Sequence, residues 1–481
     1  MDGFSRRDFL AAGFAAAAWP ALGPVGGAAA ADDLTALSLA NAAALVRNRK
    51  VSPVELTEAC LTRVDVLNPK VNAYITITRE IAMEQARALE ADQKAGKWRG
   101  PLHGVPMALK DNIDTAGIRT TGASDLFRDR VPAEDAEVVR RLKAAGIVLL
   151  GKLNLHEFAY GGTSTVTAFG AVHNPWNLEH HPGGSSGGPG AAVSADMCFA
   201  SLGTDTAGSI RIPSAYCGIV GLKPTYGRVS NRGVIPLSWS LDHTGPMTKT
   251  VEDAAILLNV LAGYDALDPT TVNTPVADYT RALKMSTAKL RIGIPRKPFF
   301  DSLDPEVQKA FDAAADVIRR LTATVGDVDL PPAGNPALVW GPEIYTYHSK
   351  WIAETPEKYQ PATRAAIQRD AQSKIAVYAQ NKRDMDIARR TIDGFFSSVD
   401  LLIMPTMKGV APLIGSNGGG LNTAQFDWYG LPAISVPCGF SNTGLPVGLQ
   451  IVGKHWDETT VLALAHAYEQ ATAWHTRKPM V

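Results

Sequence analysis

The pattern of apolar and polar positions along the chain predicts short strands that alternate with helices. From Gly104 onwards, short apolar runs such as 105–109, 147–150, 291–295 and 433–437 are separated by stretches with helical periodicity. Continuous apolar runs of this length are typical of strands buried on both faces, and their alternation with helices is typical of α/β proteins. We therefore expect one large α/β domain with a mixed, mostly central β-sheet covered by helices on both faces.

Several helices are marked at their ends. Ser52, Pro53 and Glu55 supply an N-cap, a proline at the first helical position and the glutamate of a capping box. Apolar residues then recur at helical spacing, and Asn68-Pro69 predicts the end of this helix. Further helices are expected over about 79–94, 135–145, 251–261 (ending at Gly263), 304–321, much of 339–393 and 459–472, and further strands over 325–330, 400–406 and 446–453.

Composition is that of an ordinary folded domain. The 481 residues are 46% hydrophobic and 20% charged, which is ample for a large core, and the formal net charge is zero. This balance gives no support for a nucleic-acid partner or for stable insertion into a membrane, and it leaves a homodimer open. The four cysteines are widely spaced in apolar surroundings, so we expect buried free thiols rather than disulfides or a metal site: Cys60, Cys198, Cys217 and Cys438.

The first 31 residues resemble an export leader. Arg6-Arg7 lies in a segment similar to the twin-arginine motif, and an alanine-rich stretch follows that ends in four alanines at 28–31. The alternative is a membrane anchor, but the apolar run is short and rich in glycine. We expect the mature domain to span 32–481 and to lie in the periplasm of a bacterium, or to be secreted, after twin-arginine export.

Two glycine-flanked hydroxyl turns, at 182–188 and 203–211, stand out as candidate chemistry. Glycine lets the backbone adopt positive φ or approach a ligand closely, and a serine among glycines has nearby N–H groups that can bind an oxyanion. One such run alone would more often be a flexible loop. A phosphate-binding loop is the alternative from another class, but Gly188 is followed by Pro189 and Gly190, without the required lysine.

A serine nucleophile needs a base, and the chain offers two kinds. Lys110 ends the apolar run 105–109, where desolvation would lower the pKa of its amine into the range of a working base, although a lone strand-end lysine is more often a solvated charge. Histidine is the competing base. We interpret the four histidines near the turns as structural or as pocket lining, since none has metal-ligand spacing: His156, His173, His180 and His181.

At this point the chain resembles the amidase signature family of serine hydrolases, over nearly all of its mature length. The motifs that carry the resemblance are 100–106 (GPLHGVP), 110–113 (KDNI), 151–158 (GKLNLHEF), 182–188 (PGGSSGG) and 203–211 (GTDTAGSIR). The resemblance implies Ser209 as nucleophile, Ser185 as a bridging serine on a cis peptide and Lys110 as base. It implies no metal or cofactor. The implied oxyanion donors are the backbone N–H groups of Thr206, Ala207 (glycine in many members), Gly208 and Ser209.

The resemblance implies hydrolysis of a small-molecule carboxylic amide to an acid plus ammonia or an amine. Two alternatives within the family stay open: the glutaminase subunit of a tRNA-dependent amidotransferase, against which the export leader argues, and a member that cleaves carbamates or esters. Residues 265–398 correspond to the variable segment that covers the site in the family. Its aromatic residues suit a bulky acyl group, but aromatics at helical spacing are more often core: Trp340, Tyr345, Tyr347, Trp351, Tyr359 and Tyr378.

Overall fold

The computed structural model describes residues 33–416 and 420–481 of the chain. The predicted leader over 1–31 and positions 417–419 lie outside the described residues. Among the described residues, no helix combines the length and the apolar character that crossing a membrane requires.

Eleven strands in the described part of the chain form one mixed sheet. The strands are β1 Tyr74–Ile77, β2 Pro106–Lys110, β3 Val148–Leu153, β4 Ala200–Asp205, β5 Val220–Lys223, β6 His243–Thr248, β7 Arg291–Pro295, β8 Thr324–Val328, β9 Leu401–Pro405, β10 Ala433–Phe440 and β11 Pro446–Gly453. Their order across the sheet is β1-β3-β2-β4-β6-β5-β10-β11-β9-β7-β8.

The strand directions bring the ends of three neighbouring strands to one edge of the sheet. β2 pairs in parallel with both β3 and β4, so the carboxyl ends of these three strands meet at one edge of the sheet. β4, β6, β5, β10, β11 and β9 follow as antiparallel neighbours, and β7 lies parallel to β9 and β8. Every residue of β2, β3, β4 and β6 is buried, which requires cover on both faces. The expected α/β domain with a mixed sheet is confirmed.

Helices supply that cover. They are α1 Leu39–Arg47, α2 Pro53–Val71, α3 Arg79–Lys94, α4 Glu137–Ala144, α5 Gly187–Ser194, α6 Arg211–Cys217, α7 Val251–Leu261, α8 Tyr279–Ala282, α9 Pro305–Leu321, α10 Ala337–Glu354, α11 Pro361–Asp370, α12 Ile375–Thr391, α13 Ala424–Trp428 and α14 Glu458–Gln470. The largest apolar cluster packs α2, α3, α7, α9 and α14 against the sheet, and the four cysteines are buried and free, as expected.

Most predicted helix starts are confirmed, but two predicted ends differ. The capping box at Ser52 and Glu55 is present, yet α2 continues past Pro69 to Val71. A proline in the last turn removes only one intrahelical hydrogen bond, and Asn72, in the left-handed conformation, then ends the helix. α7 spans Val251–Leu261 as predicted, whereas α14 ends at Gln470, two residues before the predicted end at Thr472.

Sequence periodicity missed the elements that hold the two hydroxyl turns. The segment 189–202, which joins the two turns, contains most of α5 and the start of β4. Glycine, alanine and serine make up most of α5 and half of β4, so neither element has an apolar pattern that would mark a helix or a strand. Short β1, β5, β6 and α6 were missed as well.

The predicted cover of the site, residues 265–398 (called the cover segment), is joined to the rest of the domain by an apolar cluster. Phe158 and Ile235 pack in this cluster with Ile344, Tyr359 and Ile367 of the cover segment. Its tyrosines and tryptophans pack in or against core clusters, which confirms the interpretation of the aromatic residues as core.

Candidate active site

Lys110, the last residue of β2, is fully buried. Its Nζ donates hydrogen bonds to Ser185 Oγ at 2.7 Å and to Thr204 Oγ1 at 2.7 Å. Burial lowers the pKa of the amine to about 7, against the opposing pull of Asp242 and Asp205. A neutral amine is therefore available near neutral pH, as a base requires.

Ser185 follows a cis peptide bond from Gly184, as expected from the resemblance. Its carbonyl accepts the backbone N–H of His156 at 3.1 Å and the Ser164 hydroxyl at 3.0 Å. A side chain at position 184 would place Cβ 2.7 Å from Thr163 N, so only glycine fits there. The backbone that carries the Ser185 hydroxyl is thus held by contacts of its own, separate from the one to Lys110.

Ser209 lies in the turn between β4 and α6, and it is 9% exposed, whereas Ser185 is completely buried. Its carbonyl accepts the backbone N–H of Ser186 at 3.3 Å, which joins this turn to the Ser185 segment. The structure therefore brings Lys110 and Ser185 into direct contact and places Ser209 beside the same segment, on its accessible side. The proton path from Ser209 to Ser185 stays a prediction.

The turn before Ser209 is held by Asp205 at the end of β4. Its carboxylate accepts the N–H groups of Gly208 at 2.5 Å and Ile210 at 3.1 Å. Gly208 was predicted to donate to an oxyanion, but its N–H is directed to Asp205 instead. Glycine is required there, since φ is +131° and a Cβ would lie 2.2 Å from Thr423 Oγ1. The N–H groups of Thr206, Ala207 and Ser209 remain the candidate donors.

Arg211 fixes the position of the Asp205 carboxylate. The two side chains form a doubly hydrogen-bonded pair, with Nε–Oδ2 and Nη2–Oδ1 distances of 2.9 Å, and Nη2 also lies 2.6 Å from Asp427 Oδ2. Burial opposes ionisation of Asp205, but Arg211 outweighs it and holds the pKa of that carboxyl well below its usual range. The turn 205–211, which we name the nucleophile turn after the predicted nucleophile Ser209, therefore has a buried ionic support.

The four histidines bind backbone groups rather than the predicted nucleophile. His173 Nδ1 lies 2.7 Å from the Leu178 carbonyl, and His180 Nδ1 lies 2.6 Å from that of Ala411. His156 and His181 accept backbone N–H groups, and burial lowers their pKa values to about 3 and about 4. These contacts fit the interpretation of the histidines as structural.

The comparison with known proteins decides the family. A family model described as Amidase matches residues 55–462. The chain belongs to the amidase signature family. It is therefore an enzyme that acts on amide C–N bonds.

Relatives of this amidase cover nearly its whole length. A glutamyl-tRNA(Gln) amidotransferase subunit from Moorella thermoacetica is 40% identical over 470 residues, which is 90% of this chain and 96% of the relative. Its counterpart from Roseiflexus sp. is 41% identical over 478 residues, or 92% and 98% of the two chains. A solved structure of native peptide amidase from Stenotrophomonas maltophilia superposes with a TM-score of 0.83 at 33% identity, covering 92% and 98%.

Sequence reasoning did not name several polar residues around the site of this amidase. Thr204 is the second partner of Lys110, and Asp242 accepts the Thr206 hydroxyl at 2.6 Å. Thr423 and Asp427 reach the nucleophile turn from more than 200 positions away along the chain. A signal existed only for Thr204, which lies inside the motif 203–211; the others depend on tertiary packing.

Proposed function

We propose that this amidase hydrolyses a carboxylic amide through an acyl-enzyme on Ser209, with Ser185 as proton bridge and Lys110 as base. The observation that carries the proposal is the 2.7 Å hydrogen bond between Lys110 Nζ and Ser185 Oγ. Within the described residues, Lys110 has no salt bridge, so no carboxylate in direct contact holds its amine in the charged form. A buried lysine bound only to hydroxyls is the arrangement that a neutral base needs.

The reaction proceeds in two halves. Ser209 Oγ attacks the amide carbon while its proton passes to Ser185, and the Ser185 proton passes to Lys110. The Lys110 ammonium then returns a proton through Ser185 to the leaving nitrogen as the C–N bond breaks. Water attacks the acyl group by the reverse proton route and releases the acid. The N–H groups of Thr206, Ala207 and Ser209 are the donors that we assign to the oxyanion.

A covalent label tests this assignment. A sulfonyl fluoride should modify Ser209, and Ser209→Ala should lose the label together with at least about 10⁴-fold in turnover. Ser201→Ala is the matched control, because that hydroxyl is buried in β4 and donates only to the Leu202 carbonyl at 3.3 Å. A label found on another residue, or retained by Ser209→Ala, would contradict the assignment.

For the amide that is cleaved, the sequence comparison favours glutamine. The relatives from Moorella and Roseiflexus are subunits of an amidotransferase named for glutamyl-tRNA(Gln), and they are more similar to this chain than the peptide amidase is. We propose on this basis that the chain releases ammonia from glutamine as one component of a complex with a protein partner. Ammonia release from glutamine that rises when the partner proteins and glutamyl-tRNA are added would support this function.

An exported amidase that acts alone is the second candidate, and the twin-arginine-like segment around Arg6-Arg7 favours it. A reporter fused to residues 1–31 should then leave the cytoplasm only when both arginines are present. The purified enzyme should also cleave simple carboxamides, anilides, carbamates or esters without a partner. Export together with such activity would exclude the amidotransferase role, whereas a cytoplasmic reporter would exclude this candidate.

A further inference from the structure

A loop of the core, residues 237–242, touches the nucleophile turn through one buried carboxylate. Asp242 Oδ2 accepts the backbone N–H groups of Leu237 at 2.9 Å and Ser238 at 3.0 Å. Its Oδ1 accepts the Thr206 hydroxyl at 2.6 Å. The shape of loop 237–242 and the position of Thr206 are therefore set by the same side chain.

The other side of this loop is bound by Glu343 on α10, which belongs to the cover segment. Glu343 Oε2 accepts the Ser238 hydroxyl at 2.5 Å and the Ser240 N–H at 3.1 Å, and Oε1 accepts the Ser240 hydroxyl at 2.6 Å. The Tyr378 hydroxyl, from α12, donates to the same Oε1 at 3.0 Å. Four donors thus converge on a carboxylate that is only 1% exposed.

A third residue strengthens the connection between the cover segment and the loop. Arg389 of α12 donates from Nη2 to the Ser240 carbonyl at 2.9 Å.

A buried carboxylate such as that of Glu343 is expensive to desolvate and is weak evidence for stability, since an apolar residue of similar size often serves as well. Its use at the contact between cover and loop therefore points to a demand for defined placement.

We propose that Glu343 is a positioning residue for the nucleophile turn, acting through Ser238 and Asp242 on Thr206. The inference rests on the proposed function, because it takes Ser209 as the nucleophile. Glu343 couples the seating of the cover segment to the reactivity of Ser209. A substrate that orders the cover segment would thereby also order the turn that attacks it.

The first test separates positioning from substrate binding. Methanesulfonyl fluoride is small enough to react with Ser209 without contacts to the cover segment. Glu343→Gln should slow both this modification and amide turnover by about 10- to 100-fold, the effect of losing a hydrogen bond to a charged group. Asp253→Asn is the matched control, a buried carboxylate of α7 that accepts the Ala40 N–H at 2.9 Å, and it should keep the rate of modification.

The second test is a double-mutant cycle between Glu343→Gln and Thr206→Val, two residues that loop 237–242 links. If Glu343 acts on Thr206, the double variant should lose little more than the more impaired single variant. Losses that multiply would overturn the inference. Tyr378→Phe enters the same cycle with the same expectation if Glu343→Gln does not fold.

The outcomes also separate this inference from the proposed function. Modification at the normal rate in Glu343→Gln, with only amide turnover reduced, would overturn the positioning role and leave Ser209 as nucleophile. Failure of the unaltered enzyme to be modified at Ser209 would overturn the proposed function and the inference with it.

Discussion

Two buried lysines on neighbouring strands face very different surroundings. Lys110 ends β2 and Lys152 lies in β3, and burial lowers the pKa of both amines. Lys110 donates to two hydroxyls, those of Ser185 and Thr204. Lys152 donates to the Ile113 carbonyl at 2.5 Å and to a threonine hydroxyl, and its Nζ lies 3.5 Å from a carboxylate oxygen of Asp111.

The partners, rather than the burial, decide which lysine can serve as a base. A hydroxyl can donate as well as accept, so it can bind a neutral amine as readily as an ammonium. Carbonyls and carboxylates only accept, and they favour the ammonium. Lys223 shows that a lowered pKa alone does not make a base. Burial lowers its pKa to about 7, as for Lys110. Its Nζ lies 2.5 Å and 3.1 Å from the carbonyls of Leu431 and Pro224 and 3.2 Å from a ring nitrogen of His243, and none of these groups is a hydroxyl that could pass a proton to the amine.

The distinction between Lys110 and Lys152 can be tested by replacing each amine in turn. Lys110→Met should lower amide turnover by about 10⁴-fold, the scale of losing one member of a catalytic set, while the enzyme stays folded. The fold survives because the side chain is replaced by an apolar one of similar length. Turnover kinetics measure the loss of activity, and circular dichroism shows whether the variant stays folded. Retained turnover would remove Lys110 as the base.

Lys152→Met should lower the stability of the enzyme and leave the reactivity of Ser209 intact. It leaves Asp111 as an uncompensated buried charge, which costs about 3–5 kcal/mol of stability. We expect a lower urea midpoint, while the folded fraction is still modified at Ser209 by a sulfonyl fluoride. Loss of that modification in folded enzyme would show that the two lysines are not divided between catalysis and structure.

A smaller effect is expected from the two threonines that bind these lysines. Thr204→Val removes one acceptor of the Lys110 amine and should lower turnover about 10-fold, since a hydrogen bond of this kind is worth about 1 kcal/mol or somewhat more. Thr120→Val removes the matching hydroxyl 2.7 Å from Lys152 Nζ. It should lower the unfolding free energy by about 1 kcal/mol and leave turnover unchanged. Equal effects of the two substitutions on turnover would contradict the distinction.

Local sequence patterns predicted some parts of the fold and of the candidate site, but not all of them. The helical pattern over 79–94 predicted α3 closely, and the capping box predicted the start of α2. Lys110, Ser185 and Ser209 were predicted as site residues from local motifs and the family resemblance that these motifs carry. The elements that surround them were not predicted, because β4 and α5 consist mostly of small and polar residues that are buried without apolar periodicity.

The missing parts of the site depend on contacts between distant segments. Asp427 meets Arg211 across 216 positions, and Glu343 meets Ser238 across 105. Nothing in the local sequence around either acid marks it as a partner of the nucleophile turn. The prediction of Gly208 as an oxyanion donor has a related limit: its N–H donates to Asp205, and that direction depends on the backbone of the folded turn.

The most direct test of the account is the pH dependence of Ser209 modification by a sulfonyl fluoride. The base must be neutral, and a protonated amine accumulates below its pKa, so the rate should fall about tenfold per pH unit below about 7 and level off above it. In Lys110→Met, modification of Ser209 should be slow at every pH, and the acid limb of the profile, the fall in rate below about pH 7, should be absent. A limb that persists in Lys110→Met, or a rate in the unaltered enzyme that does not change between about pH 5 and pH 8, would contradict the claim that a neutral Lys110 drives the reaction.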